Sequence, residues 1–352
     1  MILTTTNSGY NFKSSKPFFF APTSTNSPRR TIELSAIRRA AVRIASYINR
    51  TPCLRDNTLS ARFDANFYLK LELLQNTGAF KVRGAFNKLL TLNEAEKERG
   101  IVAVSGGNHA QAVAFAAQTL GHQSLILMPE ITPRNYIEKT LSYGARVELF
   151  PTMAEAFSRA KDYERDGLAY VHPFDDERVV EGQGTIGLEI FEDCPQVTDV
   201  VVSIGGGGLA GGVAAALKAL KPDVRIWGVE TRGADSMAQA LAAGEIVSLA
   251  EITSIARTLG APAVSPLTFD LAREFLSGDV TVVEDAEAVR EMFFLLDCAK
   301  VLTEPATSCT LAAAERLREN FSPESHVVLI LCGGNISLDS LFELRELCTK
   351  IT

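Results

Sequence analysis

Apolar positions along the chain follow two periods that alternate. Leu34, Ile37, Ala41, Ile44 and Ile48 share a face at helical spacing, which predicts a helix within 31–48. Phe67, Leu69, Leu71 and Leu73 then alternate with Tyr68, Lys70 and Glu72, the pattern of a half-buried strand, and Gln75-Asn76-Thr77-Gly78 supplies a turn. A helix is expected to begin near Phe80 and Lys81, burying Val82, Ala85, Phe86 and Leu89. The same grammar recurs downstream as a short β-branched run, a glycine-bearing loop and an alanine-rich helix. Ile101 to Val104 leads into Ser105-Gly106-Gly107-Asn108-His109 and a helix, and Asp199 to Ile204 leads into Gly205-Gly206-Gly207-Gly208 and another. Ser124 to Met128, Arg146 to Phe150, Arg225 to Val229 and Val327 to Leu331 are further strands. Strands alternating with helices predict parallel sheets covered on both faces, with ligands beyond the carboxyl ends of the strands. No repeat and no long linker divides the chain, so a second domain is expected as an insertion in the first.

Composition narrows the function classes. The 352 residues suffice for two globular units, and 46% hydrophobic against 22% charged residues exclude a largely disordered chain. A formal net charge of −7 argues against nucleic acid or an anionic membrane as partner, and no apolar run approaches the ~20 residues that span a bilayer. The six cysteines form no CxxC pair and have no histidine at metal-ligand spacing, so reduced thiols in a cytoplasmic setting are expected. Residues 1–32 stand apart: they hold no Asp or Glu, and Lys13, Lys16, Arg29 and Arg30 sit among many hydroxyls. They read as a disordered extension, with organelle targeting as the alternative.

Two features carry chemistry. Four consecutive glycines between an apolar strand and a helix let backbone N–H groups converge on an anion at the helix N-terminus, which suits a phosphate. Gly205-Gly206-Gly207-Gly208-Leu209-Ala210 also matches a dinucleotide fingerprint, with Glu230 near the place of a ribose-binding acid, so an NAD-binding dehydrogenase is a competitor. It gives Lys81 no task. Lys81 stands in the first turn of a helix between Phe80 and Val82, and both the helix terminus and the apolar neighbours disfavour its ammonium form. A surface lysine snorkelling from an amphipathic helix has the same spacing. His122, His172 and His326 have no partner pattern and read as structural or surface residues.

The combination is more specific than its parts. Thr77-Gly78-Ala79-Phe80-Lys81-Val82-Arg83-Gly84-Ala85, the Ser105 to Gln111 loop, His172-Pro173-Phe174-Asp175-Asp176, Glu181-Gly182-Gln183-Gly184-Thr185-Ile186-Gly187-Leu188-Glu189-Ile190, the tetraglycine and Cys332-Gly333-Gly334-Asn335 occur in that order. From about residue 33 to 350 the chain resembles the pyridoxal-phosphate-dependent serine/threonine dehydratase family. The resemblance implies the tryptophan-synthase-β-like fold (fold type II), an α/β architecture of two open parallel-sheet domains. A large domain would span 33–102 plus 178–352, and a small mobile one 103–177. Pyridoxal 5'-phosphate would be carried on Lys81, which then serves as base at the substrate Cα. Phe80 would pack on the pyridine ring, Gly205, Gly206, Gly207 and Gly208 would cradle the phosphate, and Asn108 would bond the ring hydroxyl. Ser105, Gly106, Gly107, Asn108 and the His109 backbone would receive the substrate carboxylate. Cys332 would face the pyridine nitrogen, where a neutral thiol leaves the ring less electron-withdrawing and favours β-elimination over transamination.

The implied activity is dehydration and deamination of a β-hydroxy-α-amino acid of the threonine or serine type to a 2-oxo acid and ammonia, by a homodimer acting on the free amino acid. Racemisation or β-replacement is the alternative within the fold. Where some racemases of the family carry a serine, this chain has Gly106, which has no proton to give. Thr303-Glu304-Pro305-Ala306-Thr307-Ser308 is bulkier than the family's common continuation. The positions through which some relatives bind a divalent cation are Glu230, Ala234 and Ser236, so a cation site would lack its second carboxylate. Only 17 residues follow Asn335, too few for a separate regulatory domain.

Overall fold

A computed structural model of the chain describes residues 31–351, with side chains to residue 346. The extension expected over 1–32 therefore lies, up to residue 30, outside the described residues. The strands are β1 (Cys53–Arg55), β2 (Asn66–Lys70), β3 (Ile101–Val104), β4 (Ser124–Pro129), β5 (Arg146–Phe150), β6 (Ala169–Tyr170), β7 (Asp199–Ser203), β8 (Arg225–Thr231), β9 (Thr281–Val283) and β10 (His326–Ile330). They form two sheets, a six-stranded one ordered β1-β2-β10-β7-β8-β9 and a four-stranded one ordered β5-β4-β3-β6. Every pairing is parallel except β1 with β2.

The continuous apolar runs have a simple cause. Val200, Val202, Val328 and Ile330 enter one hydrophobic cluster, while Val201, Val327 and Leu329 enter another on the opposite face. In the smaller sheet Ile101 and Ala103 separate from Val102 and Val104 in the same way. The central strands of both sheets are thus covered on both faces, so successive residues of each are apolar. The expected cut between 102 and 103 falls inside β3, all four residues of which pair within the smaller sheet.

The half-buried strand expected over Phe67 to Leu73 stops at Lys70, and a short 3-10 turn, Glu72–Leu74, follows. Lys70 and Glu72 are buried rather than solvent-facing. Charge pairing explains this: Arg83 forks onto Glu72 at 2.8 Å through both Nε and Nη2, and Arg83 and Lys70 each reach Glu189 at 2.6 Å. Removing one member of such a buried set costs about 3–5 kcal/mol, because its partners keep their charge without compensation.

The helix Glu177–Asp193 ties the molecule together, and its glycines are the means. A Cβ at Gly182 would lie 2.6 Å from the backbone of Arg83 and Gly84 in the helix Val82–Leu89. A Cβ at Gly184 would lie 2.9 Å from the Gly212 carbonyl in the helix Gly208–Leu220. Two residues turn a helix by about 200°, so neighbouring glycines open opposite faces. The helix that starts beside Lys81 and the helix that starts at the tetraglycine are therefore held at a fixed spacing by the third between them.

Candidate active site

Strand order brings the site together. β10 lies between β2 and β7, and all three run parallel, so the segments leaving their carboxyl ends are neighbours. The segment after β10 begins with Cys332, whose carbonyl accepts the Phe80 N–H at 3.0 Å. Ala79 pairs with Gly333 in an isolated bridge, and the Cys332 Sγ lies 3.4 Å from the Oγ of Ser203, the last residue of β7. Lys81 on one side and the tetraglycine on the other thus flank Cys332, with the Ser105 loop arriving from β3.

The glycine loop is a cradle made of backbone. Gly207 has φ +89° and caps the helix Gly208–Leu220, a conformation that costs any residue with a Cβ. A Cβ there would also lie 2.8 Å from Thr268, and one at Gly206 would lie 2.0 Å from the Phe174 ring. Among the described residues, the N–H groups of Gly205, Gly206 and Gly207 donate to no backbone carbonyl. Free donors, a helix N-terminus and no room for side chains fit a phosphate group.

Lys81 caps the helix Val82–Leu89, and its Nζ donates to the Pro173 carbonyl at 3.0 Å, 5.1 Å from the centroid of the Phe80 ring. Burial lowers its pKa to about 8, against a small opposing pull from the Cys332 thiol. A usable fraction of free amine near neutral pH is what a carbonyl-binding nucleophile needs. The turn that receives it is shaped by His172, whose Nδ1 accepts from the N–H of Asp175 at 2.7 Å and of Phe174 at 3.3 Å. Burial drops the His172 pKa to about 3, so the ring stays neutral and remains an acceptor. His172, expected to be a structural or surface residue, has the structural part: its ring holds the N–H groups of Phe174 and Asp175, the two residues after Pro173.

Asn108 begins the helix Asn108–Thr119 and is buried. Its Nδ2 donates to Glu304 Oε1 at 2.7 Å, and its Oδ1 accepts from Asn335 Nδ2 at 2.8 Å. Asn335 Nδ2 also donates to the Thr77 carbonyl at 2.7 Å, and Thr77 holds a left-handed backbone at φ 64°. The Tyr136 hydroxyl donates to the Asn335 carbonyl at 2.5 Å and lies 3.5 Å from Glu304 Oε2. Burial raises the Glu304 carboxyl to about 7, against the hydrogen bonds from Asn108, Thr258 and Tyr136 that favour its ionised form. Cys332 is buried, 3.1 Å from the Thr307 Oγ1, and burial pushes its thiol up to about 11, so it is neutral.

Other expected residues divide. Gly106 is closed off from behind, since a Cβ there would meet the Thr132 Oγ1 at 2.6 Å. The His109 ring turns into the smaller sheet, where Nε2 donates to the Val171 carbonyl at 2.9 Å, and burial drops its pKa to about 3. Glu230 spends both carboxylate oxygens on N–H groups at the start of the helix Ser236–Ala243, those of Met237 at 3.0 Å and Ala238 at 2.8 Å. Both oxygens of this buried carboxyl are thus engaged at a helix start within the fold, which gives Glu230 a structural task. Among the described residues no cluster of three or more His, Cys, Asp or Glu side chains is arranged to hold a metal, and no helix is long and apolar enough to cross a membrane. Sequence pattern does not single out Tyr136 or Thr132, which reach the site from beyond β4 with no motif around them.

Comparison with known proteins agrees with this geometry. The family model described as pyridoxal-phosphate dependent enzyme matches residues 44–333. The L-threonine ammonia-lyase of Thermotoga maritima is 38% identical over 314 residues, covering 88% of this chain and 77% of the relative. The catabolic L-threonine dehydratase of Escherichia coli is 35% identical over 317 residues, 89% of this chain and 96% of the relative. The solved structure of maize serine racemase superposes with a TM-score of 0.84 at 34% identity, covering 92% of this chain and 99% of that one.

Proposed function

Because the chain belongs to the family of pyridoxal-phosphate dependent enzymes, we propose that it is an ammonia-lyase that dehydrates and deaminates a threonine- or serine-type amino acid to a 2-oxo acid and ammonia. The observation that carries this reading is the amine of Lys81, lowered to about 8 and bonded to a backbone carbonyl beside a loop of free N–H groups. The names of the Thermotoga and Escherichia relatives support the substrate class.

Gly205 to Gly208 would hold the cofactor's phosphate, Phe80 and Cys332 would line its ring, and Asn108 would bond its ring oxygen. Pyridoxal phosphate supplies an electron sink conjugated to the amino group of the substrate, which acidifies the Cα proton. Lys81 Nζ takes that proton, and the Ser105 to His109 loop holds the substrate carboxylate so that Cα faces the amine. Loss of the β-hydroxyl as water leaves an enamine acid, which water converts to the 2-oxo acid and ammonia. Cys332 stays neutral and leaves the electron demand of the site moderate, which suits elimination. The half of the molecule built on the smaller sheet, expected at 103–177, closes on the substrate and excludes water, and the protein works as a homodimer.

The racemase likeness does not change the reading. Gly106 offers no hydroxyl, and Thr132 fills the space that a larger residue would need. Incubation with L-threonine and L-serine should yield ammonia and 2-oxo acid, and borohydride should fix the cofactor to Lys81. Lys81→Ala should lose the visible chromophore and at least about 1,000-fold in rate. A wild-type protein that forms no 2-oxo acid from any β-hydroxy amino acid refutes the activity.

A further inference from the structure

The direction of the Asn108 amide is set by a chain of hydrogen bonds with a fixed origin. The Thr77 carbonyl accepts only, so the Asn335 atom 2.7 Å from it is the NH2 group. That same Nδ2 lies 2.8 Å from one atom of the Asn108 amide, which must therefore be its oxygen. The other Asn108 atom is then the NH2 group, and it lies 2.7 Å from Glu304, an acceptor. One N–H of that group is spent on Glu304, and the second is left for a ligand.

Asn335 is itself held on two further sides. Its Oδ1 occupies the space above Gly78, 2.6 Å from where a Cβ would be, and its carbonyl accepts from Tyr136 at 2.5 Å. Tyr136 belongs to the helix Arg134–Ser142 after β4, whereas Asn335 follows β10, so the contact joins the two sheets. Thr77, four residues before Lys81, keeps a left-handed backbone that is unusual for a β-branched residue. Its carbonyl is tied by the same amide that directs Asn108.

We propose that Asn335 is a positioning residue that points the Asn108 NH2 group at the ring oxygen of the cofactor and fixes the loop leading to Lys81, with Tyr136 clamping it from the smaller-sheet half. The assignment rests on the cofactor reading above. Asn335→Asp replaces the donor with an acceptor of the same shape, so that three oxygens face one another unless the Asn108 amide turns over. Turning it over takes the NH2 group away from Glu304 and from the ligand.

The test titrates the apo-protein with pyridoxal phosphate, following the lysine-linked chromophore, which needs no amino-acid substrate. Asn335→Asp should raise the Kd at least about tenfold, the size expected when a buried donor is lost, and should shift the absorption maximum. In an Asn108→Ala background the same substitution should cost clearly less than in the wild type, because the amide it directs is gone and only its tie to the Thr77 carbonyl is still lost. An unchanged Kd and spectrum in Asn335→Asp, or losses that multiply in the double variant, overturn the proposal. If Asn335→Asp does not fold, Tyr136→Phe decides: about threefold weaker binding supports the clamp, and wild-type binding refutes it. Absence of 2-oxo acid from a protein that passes these measurements would count against the dehydratase reading and not against Asn335.

Discussion

The two ends of the site bind in opposite ways. The glycine loop is contiguous, is made of backbone and carries no side chain of its own beside its N–H groups, the space a Cβ would take being filled by Phe174 and Thr268. The Asn108 end is assembled from side chains and carbonyls of Thr77, Asn108, Tyr136, Glu304 and Asn335, which come from separate segments of both halves. The first is fixed by local conformation, and the second by long-range packing. A binding surface of the first kind is spoiled by adding atoms and one of the second kind by changing a donor into an acceptor.

Gly207→Ala tests the first kind most severely. At φ +89° the new methyl group strains the backbone and also lies 2.8 Å from Thr268. The loop must reshape and its donors must diverge. We expect cofactor affinity to fall on the order of 100-fold, with strain of about 1–3 kcal/mol as the source, while far-ultraviolet circular dichroism stays native. Retention of wild-type affinity in equilibrium titration would show that the loop does not depend on this backbone geometry.

This contrast also explains what the sequence reveals. The tetraglycine and the Lys81 motif are legible because each is a short stretch whose chemistry depends on its immediate neighbours. The Asn108 amide bonds residues 196 and 227 positions away, and Asn335 bonds Thr77 across 258. Tyr136 lies on a helix with ordinary spacing, and nothing local marks its hydroxyl as bound for the Asn335 carbonyl. The strand pattern predicts the sheets because burial on both faces leaves a continuous apolar run. It misreads Lys70 and Glu72 because a buried ion pair looks like a solvated face until its partners, Arg83 and Glu189, are brought beside it. A cut at 102/103 divides β3, because the sheet a strand joins is decided by its pairing, here to β4 and β6, and not by its local pattern.

Glu304→Gln probes the second kind by its ionisation. Burial raises this carboxyl from the ordinary 4.5 to about 7. The folded protein therefore holds a proton there that the unfolded chain releases above about pH 4.5. Its contribution to stability is complete at acid pH and is lost as pH rises through about 7. Glutamine keeps an oxygen for Asn108 and never ionises. The melting temperature of the variant, relative to wild type, should rise by a few °C between pH 5 and pH 8. Parallel curves for the two proteins across that range would mean that the carboxyl does not titrate in the fold.

The smallest effect is expected at Cys332, where the two kinds of binding meet. It follows β10, between the glycine loop and the Lys81 segment, and its thiol touches Ser203 and Thr307 without carrying charge. Thr307 Oγ1 already bonds the Gly333 carbonyl at 2.7 Å and the Gly333 N–H at 3.0 Å, so it holds this turn with or without the sulfur. Cys332→Ser keeps a small neutral donor in the same place, and its hydroxyl can bond the same two oxygens. Cofactor affinity and kcat should change by less than about threefold, since one modest hydrogen bond is exchanged for another. A larger loss, measured by cofactor titration and by 2-oxo acid formation from L-threonine, would show that the polarisable sulfur contributes more to the ring environment than its neutrality does.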